Sequence, residues 1–192
     1  MKVPAFHIVV AAVLTLQFVH YYGAGARTFV RSRLDDGGEE AAALFALAGA
    51  GIIILAWIYR IDVLNGVIAL GLVSASLFLY EWARRTIRGR GFAVIFGGNV
   101  PEAVCDSGPY AYIRHPFYAS YVIGLTAALV AFPNVFTALG WFVATWFFVH
   151  GARHDEMAIS DSPLAGAYAD YRKRTGMFFP TPRRQQHISH AA

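Results

Sequence analysis

Apolar residues fall into five blocks separated by short polar interruptions. The blocks cover about 4–22, 41–59, 61–82, 117–132 and 134–151. A helix crosses the hydrocarbon of a bilayer with about 20 apolar residues. Each block is therefore read as a membrane-spanning helix. The second carries no charge, and the third keeps Asp62 and Glu81 at its ends. Only Arg60 and its neighbours separate the second from the third, and only Pro133 and Asn134 separate the fourth from the fifth. Two tight helical hairpins follow, with Pro-Asn marking the second turn. Beyond the last block the chain is too polar to span. Residues 158–174 carry Tyr168 and Tyr171 at i,i+3 spacing, which predicts a further helix lying against the membrane surface or covering a site. His20, Tyr21 and Tyr22 read as an interface anchor. Asn65 and His150 are candidates for bonds between helices.

Composition supports this pattern. Of 192 residues, 57% are apolar and only 15% are charged, against roughly 25% charged in soluble domains. Mean hydropathy is +0.46. Disorder, collagen, disulfide scaffolds and coiled coils are excluded. One cysteine, Cys105, excludes an internal disulfide and a cysteine-based zinc site. The fold class is all-α integral membrane: one domain, 1–192, with five transmembrane helices, a cytoplasmic connection before helix 4 and a cytoplasmic C-terminal helix. Residues 183–192 read as a loose tail.

Charge orients the helices. Arg27, Arg31 and Arg33 follow the first block. Arg84, Arg85, Arg88, Arg90 and Arg114 lie between the third and fourth. Arg153, Arg172, Lys173, Arg174, Arg183 and Arg184 follow the fifth. With five spans all of these face one side, leaving Lys2 and Arg60 on the other. By the positive-inside rule the N-terminus lies outside and the C-terminus in the cytoplasm. Lys2, the first apolar run and Ala24-Gly25-Ala26 mimic a cleavable leader. Cleavage there would break the charge pattern, so the first block is retained as a helix. The net charge of +4 then reports cytoplasmic loops, and no nucleic-acid partner is expected.

The stretch Ser107-Gly108-Pro109-Tyr110-Ala111-Tyr112-Ile113-Arg114-His115-Pro116-Phe117-Tyr118 is the richest in chemistry. Pro116 holds His115 extended and can occupy the first turn of the fourth helix. That helix end offers free N–H groups and partial positive charge to an anionic part of a ligand. Three tyrosines and an arginine around it suit a nucleoside-bearing or sulfonium-bearing ligand. The same residues also suit an ordinary aromatic belt with a snorkelling arginine. Glu156, in Arg153-His154-Asp155-Glu156, is a carboxylate near a helix C-terminus, where the dipole opposes it. It reads either as a ligand contact or as a local pair with Arg153. Glu81 reads as paired with Arg84 or Arg85. His115, His150 and His154 lack a metal-ligand spacing, so no metal site is expected. No phosphate loop, nucleophile elbow or dinucleotide fingerprint is present.

Taken in order, these elements resemble the isoprenylcysteine carboxyl methyltransferase family. Its G-x-Y-x-x-x-R-H-P-x-Y core matches Gly108 to Tyr118. A helical hairpin, Glu156, Tyr168, Tyr171, Arg172 to Arg174 and Pro180 follow as in the family. The resemblance spans 79–182, the catalytic region with the cofactor site. It implies an integral-membrane enzyme that uses S-adenosylmethionine to methylate a lipophilic or small acceptor: a carboxylate, thiol or amine. Phospholipid N-methyltransferases share much of the pattern. By position, Glu102, Ala103, Val104, Cys105, Tyr110, His115, Pro116, Phe117 and Tyr118 line the cofactor, and Glu156 holds it. Ser120 stands where the family has glycine, and Met157 where it has a second acidic residue. Ala152 occupies the place of an acceptor-binding arginine, with Arg153 one residue away as the candidate catalytic contact. The alternatives are an NADPH-dependent sterol-reductase-like enzyme and a non-enzymatic membrane protein.

Overall fold

A computed structural model describes residues 5–28, 36–88 and 103–181. It is all-helical: α1 (Ala5–Thr28), α2 (Asp36–Ile58), α3 (Val63–Ile87), α4 (Pro116–Ala131), α5 (Val135–Ser160) and α6 (Ala165–Arg174), with a 3-10 turn at Gly108–Ala111. Among the described residues there is no strand, only one isolated parallel bridge between Ile113 and Gly176. Among the described residues, three helices are long and apolar enough to cross a membrane: Ala5–Gly25, Val63–Ile87 and Val135–Ser160. Phe45–Ile58 and Pro116–Ala131 are shorter apolar helices.

Both expected short connections are present, each fixed by a cap, but only α4 and α5 pack as a hairpin; α2 packs chiefly on α1 and α3 on α4, so the expected α2–α3 hairpin is corrected. Asp62 caps α3, its Oδ1 accepting from the Leu64 amide at 2.9 Å. Asn134 caps α5 in a capping box with Thr137, so Pro133-Asn134 ends one helix and begins the next. His7 of α1 adds a clamp that the hydrophobic pattern did not show. Its Nδ1 accepts from the Ile61 amide at 3.0 Å, and its Nε2 bonds the Ala56 carbonyl at 2.8 Å. Accepting at Nδ1 leaves the proton on Nε2, the neutral tautomer.

α3 and α4 make the tightest seam. α4 turns Ser120, Gly124, Ala127 and Ala131 inward, and the buried stripe of α3 runs through Ala69, Val73 and Ser76, with Gly66 against Phe6 of α1. Small residues let helix backbones approach where lipid removes the hydrophobic incentive to associate. The Ser76 hydroxyl donates to the Ser120 carbonyl, and Tyr21 of α1 bonds Ser76 in turn. Tyr21 is 1% exposed, ringed by Tyr80 at 4.8 Å and Tyr121 at 5.0 Å. It belongs to the core, which corrects its reading as an interface anchor; Tyr22 beside it is exposed. His150 stacks on Trp146 of its own helix.

α5 continues to Ser160 rather than stopping near 151. Nothing between Gly151 and Ser160 breaks a helix, and the first obstacle is Pro163, which disfavours helix at the residue before it. The surface helix is correspondingly shorter than 158–174, spanning Ala165–Arg174.

Candidate functional site

The site is built where α4 begins, α5 nears its end and the tail folds back. Along α5, Ala144, Phe148, Gly151, Ala152 and Glu156 share the buried face, the spacing of one helical stripe. Glu156 therefore points inward and is only 5% exposed. Its Oε1 accepts from Arg114 Nε at 2.7 Å and lies 3.1 Å from His115 Nε2. Its Oε2 meets the half-exposed Arg172 of α6 at a longer 3.5 Å. The cation that answers Glu156 most closely is thus Arg114, and Arg153 is exposed on α5. Local pairing with Arg153 is overturned. The expected pairing of Glu81 holds, as both its oxygens accept from Arg84, and His20 adds a third contact at 2.9 Å.

Arg114 also joins the tail. Its guanidinium donates to the Thr175 carbonyl, and its own amide donates to Gly176 O at 2.8 Å. The His115 amide donates to Met177 O at 3.1 Å. One turn earlier in the motif, the Tyr110 carbonyl accepts from the Tyr171 hydroxyl at 2.7 Å. Burial pushes the Tyr171 phenol up from its ordinary value, so it remains a donor across the physiological range. Burial raises the Tyr110 phenol as well. Two glycines make the fold-back possible. Gly108 has φ +58°, and a Cβ there would lie 2.3 Å from Thr86 Oγ1. A Cβ on Gly176 would lie 1.7 Å from the Phe179 carbonyl oxygen.

Rings continue the site into the bundle. Tyr118, 4% exposed, lies between His115 at 5.5 Å and Phe148 at 5.8 Å, nearly parallel to both. Its hydroxyl donates to Asp155 Oδ2 at 2.8 Å. Phe148 in turn forms part of an apolar slot of about 520 Å³ between α2, α4 and α5, with Ile52, Leu55, Ala128, Gly140 and Trp141. By helix rise, Phe148 and Glu156 stand about 12 Å apart along α5. One helix face thus carries both the slot wall and the buried carboxylate.

Residues 68–161 match the model of the isoprenylcysteine carboxyl methyltransferase (ICMT) family. Over that stretch, just under half of the chain, the protein is similar to the ICMT family. No curated protein matches it. The match takes in Arg114, His115 and Glu156 and ends ahead of α6. With that similarity and three long apolar helices among the described residues, the chain is a membrane protein.

The structure distributes the expected ICMT-type site residues unevenly. Tyr110, His115, Pro116, Phe117, Tyr118 and Glu156 converge on the junction just described. Phe117 is buried there, its ring edge-on to Tyr80 at 5.2 Å. Cys105 is buried, with Sγ 3.7 Å from Ser107 Oγ. Val104 is half-buried and Ala103 exposed, while Glu102 lies outside the described residues. Among the described residues no group of three His, Cys, Asp or Glu is placed to hold a metal. The sequence reading missed the roles of Arg114, Thr175 and Gly176. Arg114 stands inside the motif beside His115, a signal that was present but read as snorkelling.

Proposed function

We propose that this protein is an integral-membrane methyltransferase that uses S-adenosylmethionine and acts on a lipophilic or small acceptor. The Glu156 cluster carries the reading. Its Oε1 is committed to Arg114 and His115, whereas Oε2 faces a long contact to a half-exposed arginine. Oε2 is the oxygen available to a ligand's hydroxyl or amine. The adjoining rings of His115 and Tyr118 offer faces to an adenine or a sulfonium. The first bond of α4 closes at Ala119, whose amide donates to His115 O, so the helix start has amides to offer a carboxylate. This donor set fits S-adenosylmethionine. When bound, that group supplies an electrophilic methyl on sulfur.

The chain's own residues then position and exclude water. Glu156 and His115 hold the donor, with Glu102, Ala103, Val104, Cys105, Tyr110, Pro116, Phe117 and Tyr118 as its lining. Arg153, at the exposed rim, contacts the incoming acceptor. Residues 79–182 form the catalytic region of a single membrane domain with five spans. The N-terminus lies outside, and the cofactor site and C-terminal helix face the cytoplasm. The lipophilic acceptor enters sideways from the bilayer.

The test is calorimetric titration of purified protein with S-adenosylhomocysteine, with NADPH in parallel. The expected result is binding of S-adenosylhomocysteine alone, lost in Glu156→Ala and weakened in His115→Ala. Binding of NADPH alone would move the protein to a reductase, and binding of neither by folded protein would remove the enzymatic reading. Arg153→Ala should raise the acceptor KM without changing donor affinity.

A further inference from the structure

α5 has two faces in different company. Gly140, Trp141, Ala144 and Phe148 line the slot. Leu139, Phe142, Trp146, His150, Arg153 and Met157 form a second stripe, and all six are exposed. At about 3.6 residues per turn this stripe lies on the opposite side of the helix from the slot. Only 17% of the most apolar part of the helix is buried inside the protein, so the second stripe faces the bilayer.

The stripe changes chemistry along its length. Leu139 and Phe142 are purely apolar. Trp146 and His150 stack, with ring centroids 5.5 Å apart and planes 14° from parallel. Arg153 follows three residues later, and from Trp146 to Arg153 the helix rises about 10 Å. Apolar side chain, amphipathic ring and cation is the order met on leaving the hydrocarbon for the headgroups.

The polar groups of the stripe are unspent. Among the described residues neither the Trp146 indole N–H, the His150 ring nor the Arg153 guanidinium has a hydrogen bond or an ion pair. By contrast Arg114, Arg172, Lys173 and Arg174 each meet a carboxylate within 3.5 Å. The carboxylates next to Arg153 in sequence turn elsewhere. Glu156 is ringed by Arg114, His115 and Arg172, and Asp155 accepts from Tyr118. Snorkelling alone requires only that Arg153 reach water. Three aligned donors with a cation at the outer end offer more, because a charge-assisted bond to phosphate is about twice as strong as a neutral one. A zwitterionic lipid would bring its own ammonium to the same arginine, and a net-negative headgroup would not.

We propose that this stripe is a binding site for an anionic phospholipid of the bilayer. Its acyl chain lies along Leu139 and Phe142, its ester carbonyl accepts from Trp146 Nε1, and its phosphate sits between His150 and Arg153. The site does not depend on the methyltransferase reading, and an acceptor arriving from the bilayer meets Arg153 with this lipid already on it.

The experiment is native mass spectrometry of the full chain in detergent, without donor or acceptor. The probes are dioleoyl phosphatidylglycerol and dioleoyl phosphatidylcholine. The first phosphatidylglycerol adduct should form more tightly than the first phosphatidylcholine adduct. Arg153→Gln should weaken the phosphatidylglycerol adduct about fivefold, and Trp146→Phe should weaken both lipids by a smaller factor. Arg85→Gln, an exposed cation on another helix, should leave it unchanged. Arg153 is exposed, so its variant should melt at the wild-type temperature in lipid-free detergent, which reports that it is folded. Equal affinity for the two lipids would overturn the proposal, as would an unchanged phosphatidylglycerol adduct in Arg153→Gln. Equal loss in Arg85→Gln would mean that binding follows net charge and not this stripe. Displacement of the lipid by millimolar inorganic phosphate would show that the apolar stripe adds nothing, and would overturn a lipid site in favour of a free anion.

Discussion

α4 has two flanks, and they are built on opposite rules. Toward α3 it shows Ser120, Gly124, Ala127 and Ala131, and the gap is stitched by Ser76 and Tyr21. A Cβ added at Gly124 would lie 1.9 Å from Gln17 Nε2 and 3.2 Å from Ser76 Oγ. Toward α2 and α5 the same helix borders an apolar slot, where a Cβ added to Gly51 or Gly140 meets nothing within 4 Å. The closed flank has one arrangement because polar groups specify it, and an unmade bond there is costly. The open flank carries a bond from Trp141 Nε1 to Thr126 Oγ1 at 2.9 Å, but its lining is otherwise apolar and can accept an apolar guest. A membrane enzyme needs both: a fixed end that keeps its charged cluster in register, and a compliant side that admits material from the bilayer.

The largest break in the fixed end should come from Arg114→Ala. It removes the closest cation on Glu156 and the side-chain tie to Thr175 in one change. Leaving a buried charge without its partner costs roughly 3–5 kcal/mol. Thermal unfolding in detergent should fall accordingly, and S-adenosylhomocysteine affinity with it. Arg114→Lys should recover only part, because lysine cannot bond Glu156 and the Thr175 carbonyl through one planar fork. A wild-type melting temperature for Arg114→Ala would show that the cluster is peripheral.

Next in size is Gly124→Val on the closed flank. Overpacking a tight interface costs about 1–3 kcal/mol. Pairing it with Gln17→Ala removes the nearest obstruction and should restore part of the loss, which a double-mutant cycle measures. Simple additivity would mean that Gly124 is not set by Gln17.

Much of this was legible in the chain, for identifiable reasons. The α4–α5 hairpin announces itself through its apolar blocks and the Pro133-Asn134 turn, whereas the short α2–α3 connection did not show that these two helices part. His115 and Glu156 stood out because each is awkward for a structural residue: a histidine held extended before Pro116, and a carboxylate at a helix end that disfavours it. What was hidden depends on long-range geometry. Nothing local separates a core tyrosine from an interface one, so Tyr21 and Tyr22 read alike while one is buried and the other exposed. Arg153 is the nearer cation to Glu156 along the chain, yet Glu156 turns inward toward α4 and finds Arg114. The parallel pairing of Ile113 with Gly176 joins residues far apart in sequence and carries no periodic signal. The end of α5 was misplaced because polarity was taken for the end of a helix, when it marked only the end of the apolar block.

A smaller effect sharpens the role of the tail. Tyr171→Phe deletes the bond to the Tyr110 carbonyl but keeps the ring. One such bond contributes about 1 kcal/mol. Overall stability should drop by that order, and hydrogen exchange should rise in 108–115 more than in α3. Equal change in both would mean that α6 does not brace the motif specifically.

The smallest effect on stability is expected from the open flank, and there it is most informative. Gly140 lines the slot, and a Cβ added there meets nothing within 4 Å, so Gly140→Phe directs its ring into the slot. Replacing a helical glycine gains rather than loses helix propensity, by up to about 1 kcal/mol. The variant should therefore melt at or slightly above the wild-type temperature, with S-adenosylhomocysteine affinity unchanged, because the Glu156 cluster lies further along α5. Its effect should appear only with the acceptor. Affinity for long-chain probes should fall as the ring takes the volume their chains need, while a short-chain probe with the same head group binds as before. Equal loss for both lengths would mean that the ring acts at the head position rather than in the slot. No loss for either would mean that the chain lies elsewhere, and that the open flank of α4 is filled by bilayer lipid instead of acceptor.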